Sequence, residues 1–309
     1  MAMGDRFKNG WSLFRTSFRV LAQHPKLSLF PAITSVWMLG ILGFFLIPVA
    51  LQHTGFAYAE GGHWRAVLDS IFVHAEGSEP TLTPRAWGYL TLLYFVSMFA
   101  ATFANVAFYH EILRALAGEA VSIRRGIRFA FSKLSAIFLW SLFAGVIGYV
   151  IRTLEQRVGW IGRIILALIG TAWSVASVFA IPTIIVQEGV NPLEVLRTSA
   201  QTLRRTWGES LVGFLGLQFG GLVVLIASLG YFFLVGMGIW MLPDSWATLK
   251  AFGITGVILL WLVSMFLFSY LLGVANHIYR CALFTFASQG TIPAPYDAVA
   301  MEFAWKKKS

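Results

Sequence analysis

Residues 251–279 read AFGITGVILLWLVSMFLFSYLLGVANHIY, a run without a single Asp, Glu, Lys or Arg. A transmembrane helix needs about 20 consecutive, predominantly apolar residues, so this run is long enough to cross a bilayer. Five further runs of the same character precede it, at 29–51, 87–113, 134–151, 164–187 and 211–242. The sequence therefore predicts an all-α, polytopic membrane protein with six transmembrane helices.

The composition excludes a soluble globular domain. Hydrophobic residues make up 58% of the 309 residues and charged residues only 12%, whereas soluble domains carry about 25% charged residues. The mean hydropathy is +0.73. The single cysteine, Cys281, rules out an internal disulfide and a cysteine-based metal cluster. We expect one integral membrane domain over residues 1–309, with no cleaved signal peptide.

Basic residues alternate between the gaps that separate the apolar runs. Of the 23 Lys and Arg residues, 17 lie before the first run, in the second and fourth gaps, and after the last run. Because positive charge stays cytoplasmic, this pattern places both termini inside the cell and the protein in the inner membrane. All of the net charge of +9 then falls on the cytoplasmic side. We attribute it to topology and anionic lipid, which argues against nucleic acid as a partner.

The cytoplasmic segments have amphipathic patterns. In the N-terminal segment, residues 1–28, apolar Phe7, Trp11, Phe14, Phe18 and Leu21 recur every three or four positions, and basic residues occupy the other faces. This spacing predicts a helix that lies in the membrane interface. Residues 121–133 and 192–208 repeat the pattern, each before an odd-numbered span. We infer three tandem units, each an amphipathic helix followed by a two-span hairpin.

The basic residues of these segments are the predicted contacts to lipid headgroups. Juxtamembrane Lys and Arg are each attracted to an anionic surface by about 1 kcal/mol. The set comprises Arg6, Lys8, Arg15, Arg19, Lys26, Arg124, Arg125, Arg128, Arg204 and Arg205.

An extracytoplasmic loop and a cytoplasmic tail complete the predicted layout. Residues 52–86 form the one sizeable extracytoplasmic loop, with a short helix around HWRAVLDSIFVH at 63–74, and residues 280–309 form a cytoplasmic tail. His53, His63 and His74 are spaced 10 and 11 residues apart, which matches no compact metal-ligand set. We therefore expect a solvated polar loop there and neither a metal nor another cofactor.

Polar residues gather where the even-numbered spans reach the cytoplasmic side. Glu111 and Arg114 are spaced for an i, i+3 pair, and His110 and Arg114 for an i, i+4 pair. Ionisable residues within a span are candidates for a pathway or relay, although a local ion pair explains them as well. The candidate vestibule comprises Asn105, His110, Glu111, Arg114, Glu188, Asn276, His277 and Arg280. Pro182 is expected to kink the fourth span.

Several stretches resemble a known family. GWSLFRTSFRVL at 10–21, IPTIIVQEG at 181–189 and PLEVLRTSAQTLRRTWG at 192–208 are similar to an uncharacterised family of bacterial and archaeal six-span membrane proteins. The second half also resembles, more distantly, the membrane domain fused to some glycerophosphodiester phosphodiesterases, whose catalytic barrel this chain lacks. The resemblance implies six spans and no particular activity.

Three function classes remain open. The sequence contains no P-loop, GxSxG or HExxH motif and offers no catalytic residues. We predict a non-enzymatic scaffold or accessory subunit that contacts anionic lipid and possible membrane-protein partners. The alternative is a small transporter or channel with the polar vestibule, and the third class is a lipid-modifying enzyme.

Overall fold

A computed structural model describes residues 12, 15–73, 80–155, 157–206, 210–294 and 296, with side chains described at all of these except 205, 206, 210–220 and 244. The described chain is almost entirely helical. Of the basic residues predicted to contact headgroups, Arg6 and Lys8 lie outside the described residues, as does the side chain of Arg205.

The described chain contains eleven α-helices, two short 3-10 turns, of which the second is Asp244–Trp246, and one small hairpin. Helix α1 covers residues 15–23 and is followed by a 3-10 turn at Pro25–Ser28. The remaining elements are α2 (Leu29–Ala50), α3 (Gly61–Ile71), β1 (Phe72–Val73), β2 (Thr81–Leu82), α4 (Pro84–Leu116), α5 (Ile123–Ser132), α6 (Leu134–Glu155), α7 (Trp160–Ala176), α8 (Ala180–Val186), α9 (Pro192–Thr206), α10 (Ser210–Trp240) and α11 (Ala247–Gln289).

Among the residues that the structure describes, six helical segments are long and apolar enough to cross a membrane, which agrees with the predicted multi-pass architecture. They are Pro25–Ala50, Pro84–Leu116, Leu134–Glu155, Trp160–Val186, Gly221–Trp240 and Ala247–Gln289. Each overlaps one of the six apolar runs of the sequence. The three-unit arrangement and the cytoplasmic location of the termini stay predictions, although a shorter helix (α1, α5 or α9) does precede each of α2, α6 and α10.

Helix α11 is much longer than a span requires. Its 43 residues extend roughly 65 Å, about twice the hydrocarbon thickness of a bilayer. Its first part exposes large apolar side chains such as Phe252 (74%) and Phe266 (75%), whereas Val274, Ala275 and most residues up to Ala287 are buried. The helix therefore continues ten residues into the segment 280–309, whose cytoplasmic location stays a prediction. The apolar sequence around Phe284 buries one further stretch of helix, which ends at Gly290 in the left-handed conformation (φ +70°).

The fourth span is interrupted, as its proline suggested. Helix α7 ends at Ala176, residues 177–179 form a turn, and α8 begins at Ala180. Pro182 has no N–H to donate to the carbonyl group of Val178, and its ring crowds that carbonyl. The interruption therefore falls one turn before the proline.

The described parts of the predicted extracytoplasmic loop, residues 52–73 and 80–86, contain a helix and a hairpin. Val73 and Phe72 of β1 pair antiparallel with Thr81 and Leu82 of β2 after helix α3, and the sequence did not predict this hairpin. His63 on α3 is fully buried: its Nδ1 lies 2.7 Å from Thr54 Oγ1 and its Nε2 2.8 Å from the carbonyl oxygen of Ala50. His63 is therefore not solvated, because one ring nitrogen has a partner at the end of α2 and the other has a partner in the loop that follows α2. His74 lies outside the described residues.

The chain divides into two compact units, which we describe separately. The first comprises Met1–Ser28, Tyr109–Ser122 and Ser199–Ser309, and the second Leu29–Phe108 and Ile123–Thr198. Within the second unit, the hydroxyl of Tyr89 donates to the carbonyl oxygen of Phe45 at 2.7 Å, which joins α4 to α2. The hydroxyl of Tyr94 donates to the carbonyl oxygen of Gly145 at 3.1 Å and joins α4 to α6.

Candidate functional site

The cytoplasmic end predicted for α4 carries a fully buried carboxylate. Glu111 is 0% exposed. One of its oxygens accepts a 2.7 Å hydrogen bond from the backbone N–H of Ser122, the residue just before α5, and the other lies 3.2 Å from Nδ1 of His110. A buried carboxylate is costly unless hydrogen-bonded. Here the carboxylate connects Ser122, at the end of the α4–α5 turn, to the last turns of α4.

The connection between α4 and α5 brings Arg114 to a partner that the sequence did not suggest. Gly118 adopts φ +85°. Its N–H donates to the carbonyl group of Ala115, and the N–H of Glu119 donates to the carbonyl group of Arg114. This is a Schellman motif, in which only glycine tolerates the left-handed position easily. The turn places the Glu119 carboxylate 2.6 Å from the Arg114 guanidinium. The predicted pairing of Arg114 with Glu111 is thus replaced by a half-exposed ion pair with Glu119.

Helix α11 meets the end of α4 through a histidine. Nδ1 of His277 lies 2.8 Å from the Tyr109 hydroxyl, and the two rings meet edge to face with centroids 5.3 Å apart. On the same helix, Oδ1 of Asn276 is buried and has no hydrogen-bond partner among the residues that the structure describes. Arg280 follows one turn later and its Nε is also buried. These residues and the Glu111 cluster all belong to the first unit.

The residues of the predicted vestibule are divided between the two units. His110, Glu111, Arg114, Asn276, His277 and Arg280 belong to the first unit, whereas Asn105 and Glu188 belong to the second. Asn105 is half-buried on α4, and Glu188 is exposed just after α8. The vestibule stays a prediction.

The basic residues proposed to contact lipid are mostly accessible. Arg15, Arg19 and Lys26 are exposed in and after α1, and Arg204 is exposed near the end of α9. On α5, Arg124 and Arg128 are exposed and Arg125 is half-buried. The spacing of Arg124 and Arg128, one helical turn apart, places both guanidinium groups on one side of α5.

The exposed side of α5 also carries apolar groups. Ile127 is 36% and Phe131 62% exposed, while Gly126 and Ala130 form the buried side. The ring of Phe131 contacts that of Phe103 edge to face, with centroids 5.0 Å apart. Helix α5 therefore presents two arginines and two large apolar side chains next to one another.

A lysine outside the predicted set holds the end of α5 in place. Nζ of Lys133 donates to the carbonyl oxygen of Gln187 at 2.5 Å, and Nε2 of Gln187 donates to Thr198 Oγ1 at 3.0 Å. Gln187 is the C-cap residue that follows α8, where a cation interacts favourably with the last carbonyl groups. Lys133 thus connects the segment before the third span to the end of the fourth.

The two ends of the described chain meet in a buried hydrogen bond. The hydroxyl groups of Ser17 on α1 and Tyr296 lie 2.9 Å apart, and both residues are buried. Burial raises the pKa of Tyr296, and the hydrogen bond from Ser17 only partly opposes this effect. The sequence did not predict the contacts of Tyr109, Lys133, Ser17 and Tyr296. Each of these residues forms a hydrogen bond with a residue that is distant in sequence.

Comparison with known proteins identifies a family for most of the chain. A family model described as a family of unknown function, DUF6159, matches residues 86–293. The chain belongs to this family. The matched region runs from the start of α4 to just beyond the end of α11. It therefore includes Glu111 and its neighbours, the polar residues 276–280 of α11, and helix α5. No curated protein and no solved structure matches the chain. The comparisons give no support to the resemblance to glycerophosphodiester phosphodiesterases.

Proposed function

We propose that this member of DUF6159 is a non-enzymatic inner-membrane protein, a scaffold or accessory subunit, whose helices α1, α5 and α9 contact anionic lipid headgroups on the cytoplasmic side. The observation that carries the proposal is the exposed side of α5, where Arg124 and Arg128 adjoin Ile127 and Phe131. Interfacial helices have this character: basic residues for the headgroups and apolar side chains for the acyl boundary.

The energetics favour a membrane over water as the surroundings of this surface. In water, the exposed Phe131 ring would remain hydrated at a cost of about 25 cal/mol for each Å² of apolar area. At the interface the ring is buried in the acyl boundary, and each nearby arginine gains about 1 kcal/mol from anionic lipid. Arginine also binds phosphate through two parallel hydrogen bonds. The same position therefore satisfies both kinds of side chain.

Helices α1 and α9 also expose basic residues on one side, but with fewer large apolar side chains beside them than on α5. On α9, Leu193, Arg197, Gln201 and Arg204 are exposed at intervals of four, four and three residues, while Val195, Ser199 and Thr202 are buried. On α1, Arg15 and Arg19 are exposed, while Ser17 and Val20 are buried. Each helix directly precedes a candidate span, so its distance from the bilayer is limited by the chain.

A titration with two lipids tests the proposal. The detergent-purified full chain is titrated with phosphatidylglycerol or phosphatidylcholine, and bound lipid is counted by native mass spectrometry. The double variant Arg124→Gln/Arg128→Gln removes the two exposed charges of α5. We expect phosphatidylglycerol to bind more tightly than phosphatidylcholine, and the variant to weaken its tightest site by about thirtyfold, the effect of two charges at about 1 kcal/mol each.

The matched control is Arg157→Gln/Arg163→Gln, which removes two exposed arginines near the α6–α7 connection, one in the loop and one in the first turn of α7, on the side predicted to be extracytoplasmic. This control should leave the tightest phosphatidylglycerol site unchanged. Equal affinity for the two lipids, or equal loss in both double variants, would reject the role of α5.

A small transporter or channel is a second candidate function, and the first unit supplies the observation in its favour. Glu111 is a buried carboxylate at the end of a span, and Oδ1 of Asn276 is buried without a hydrogen-bond partner among the described residues. Intramembrane ionisable groups often line pathways. Proteoliposomes that carry the wild type should then pass protons or cations faster than empty vesicles, with the excess lost in Glu111→Gln; no excess flux would end this candidate.

A further inference from the structure

Helix α3 is attached by hydrogen bonds to the ends of two candidate spans. In its first turn, Nε2 of His63 donates to the carbonyl oxygen of Ala50, the last residue of α2, at 2.8 Å. At its other end, the carbonyl oxygen of Ile71 accepts a 2.8 Å hydrogen bond from the N–H of Thr83, the residue before α4. All of these residues belong to the second unit.

These attachments place α3 along the membrane surface. Because α2 and α4 belong to consecutive candidate spans, the end of α2 and the start of α4 lie at the same surface of the bilayer. Helix α3 has 11 residues and is roughly 16 Å long. Nε2 of Gln52, just after α2, also donates to Ser70 Oγ in the last turn of α3 at 2.8 Å. Since both ends of α3 are held at this level, its axis runs along the surface rather than away from it.

Three sides of α3 have different character. Residues four positions apart share a side of a helix, and each following residue is turned by about 100°. Three pairs have this spacing, in order around the helix: buried His63 and Val67, exposed apolar Trp64 and Leu68, and exposed charged Arg65 and Asp69. Trp64 is 49% and Leu68 51% exposed, so the apolar pair is only partly covered by the protein.

Aromatic residues of the neighbouring spans indicate that this level is the headgroup region. Trp87 is exposed in the first turn of α4, and its ring meets that of Tyr149, in the last two turns of α6, with centroids 6.4 Å apart. Tyr58, in the loop that leads to α3, is exposed as well. Tryptophan and tyrosine are enriched where a membrane protein meets the headgroups. Trp64 therefore adds to an aromatic layer that the spans themselves carry.

We propose that α3 is an interfacial helix that inserts Trp64 and Leu68 into the boundary between headgroups and acyl chains, at the surface where α4 begins. A helix that lies along this surface with one side on the protein has lipid beside it and water above it. The apolar and the charged side of α3 fit these two surroundings in that order. Because the charges of Arg65 and Asp69 cancel, the contact needs no anionic lipid. Helix α5 follows the other end of α4, so this inference is independent of the proposed role of the basic helices.

Spin labels on the exposed sides of α3 test this position. Single cysteines replace Trp64, Leu68, Arg65 or Asp69 in a Cys281→Ser background of the full chain, and each carries a nitroxide. The protein is reconstituted in vesicles of phosphatidylcholine alone. Collision rates are measured with oxygen, which concentrates in the hydrocarbon, and with a neutral nickel chelate on both sides of the vesicles, which stays in water. We expect the ratio of oxygen to nickel collisions to be severalfold higher for Trp64→Cys and Leu68→Cys than for Arg65→Cys and Asp69→Cys.

The charged pair provides the matched control, because it lies on the same helix at the same spacing. Leu68→Cys keeps Trp64, and Trp64→Cys keeps Leu68, so the other variant decides the question if one of them does not fold. Equal ratios at all four positions would overturn the proposal, since α3 would then be surrounded by water. Low collision rates with both reagents at positions 64 and 68 would also overturn it, because a second copy or a partner protein would then cover this side.

Discussion

The hydroxyl of Tyr109 on α4 lies 2.8 Å from Nδ1 of His277 on α11, and this hydrogen bond joins two helices whose contacting residues are 168 positions apart in sequence. The ring planes are nearly perpendicular, at 71°, an arrangement favoured for aromatic pairs. The contact thus combines a hydrogen bond with ring packing at the buried end of the long helix α11.

Tyr109→Phe keeps the ring but removes the hydrogen bond. We expect a loss of about 1 kcal/mol in the free energy of unfolding, because a buried hydrogen bond contributes about that much. Unfolding in mixed micelles with increasing detergent denaturant measures the change. Tyr231→Phe is the control, since Tyr231 is exposed on α10 and its variant should unfold with the wild type. Equal stability of Tyr109→Phe and the wild type would show that the hydrogen bond contributes nothing.

Glu111→Leu removes the acceptor for the N–H of Ser122. We expect a loss of about 1–2 kcal/mol, since the half-buried N–H of Ser122 is left without this charged partner. Glu111→Gln retains one acceptor oxygen and should lose less. Glu119→Gln should cost under about 1 kcal/mol, because the pair with Arg114 is half-exposed. The same unfolding measurement ranks the three variants, and a Glu119→Gln effect as large as that of Glu111→Leu would contradict this account of the α4–α5 connection.

The Ser17–Tyr296 contact should weaken at alkaline pH. Burial raises the folded-state pKa of Tyr296 above its unfolded value of about 10. The neutral hydroxyl is therefore favoured in the folded protein, and its contribution is fully present below about pH 10 and lost as the pH rises further. Proteolysis of the C-terminal segment between pH 8 and 11 measures this release.

Tyr296→Phe provides the control for that release. It cannot ionise, so the additional susceptibility above pH 10 should disappear, while a constant loss of the Ser17 hydrogen bond remains. The exposed Tyr58 provides a comparison, because Tyr58→Phe should follow the wild type. An alkaline release that persists unchanged in Tyr296→Phe would assign the effect to another group.

The membrane orientation can be tested with single cysteines in a Cys281→Ser background. Arg65 on α3 and Ser132 at the end of α5 are both exposed. With both termini cytoplasmic, a membrane-impermeant maleimide should label Arg65→Cys in intact cells, and Ser132→Cys only after permeabilisation. The opposite pattern would invert the topology and move the basic helices to the outer surface.

The spans were predictable from sequence, because a helix in a bilayer must present about 20 apolar residues whatever its neighbours. The ends of the helices were harder to predict. Helix α11 continues past residue 279 because Ala282, Leu283 and Phe284 find protein rather than lipid to pack against. Composition cannot distinguish these two apolar surroundings.

The pairing of the charged residues at the end of α4 was not predictable from the sequence. Helical spacing suggested Arg114 as the partner of Glu111, yet the left-handed turn at Gly118 returns the chain so that Glu119 reaches Arg114 instead. The contacts of Tyr109 with His277 and of Lys133 with Gln187 depend on packing between segments far apart in sequence. The periodic pattern of a single sequence does not indicate which distant residues pair.

The depth of α5 in the membrane tests the central claim most directly. Phe131→Cys is labelled with a nitrobenzoxadiazole fluorophore in the Cys281→Ser background and reconstituted in vesicles of phosphatidylcholine and phosphatidylglycerol. The neighbouring exposed position, Ser132→Cys, serves as control. We predict that lipids brominated close to the headgroup quench the label at 131 strongly and aqueous iodide quenches it weakly, with iodide more effective at 132. Iodide quenching at 131 as strong as at 132, without quenching by brominated lipid, would contradict the proposal that α5 lies in the membrane interface.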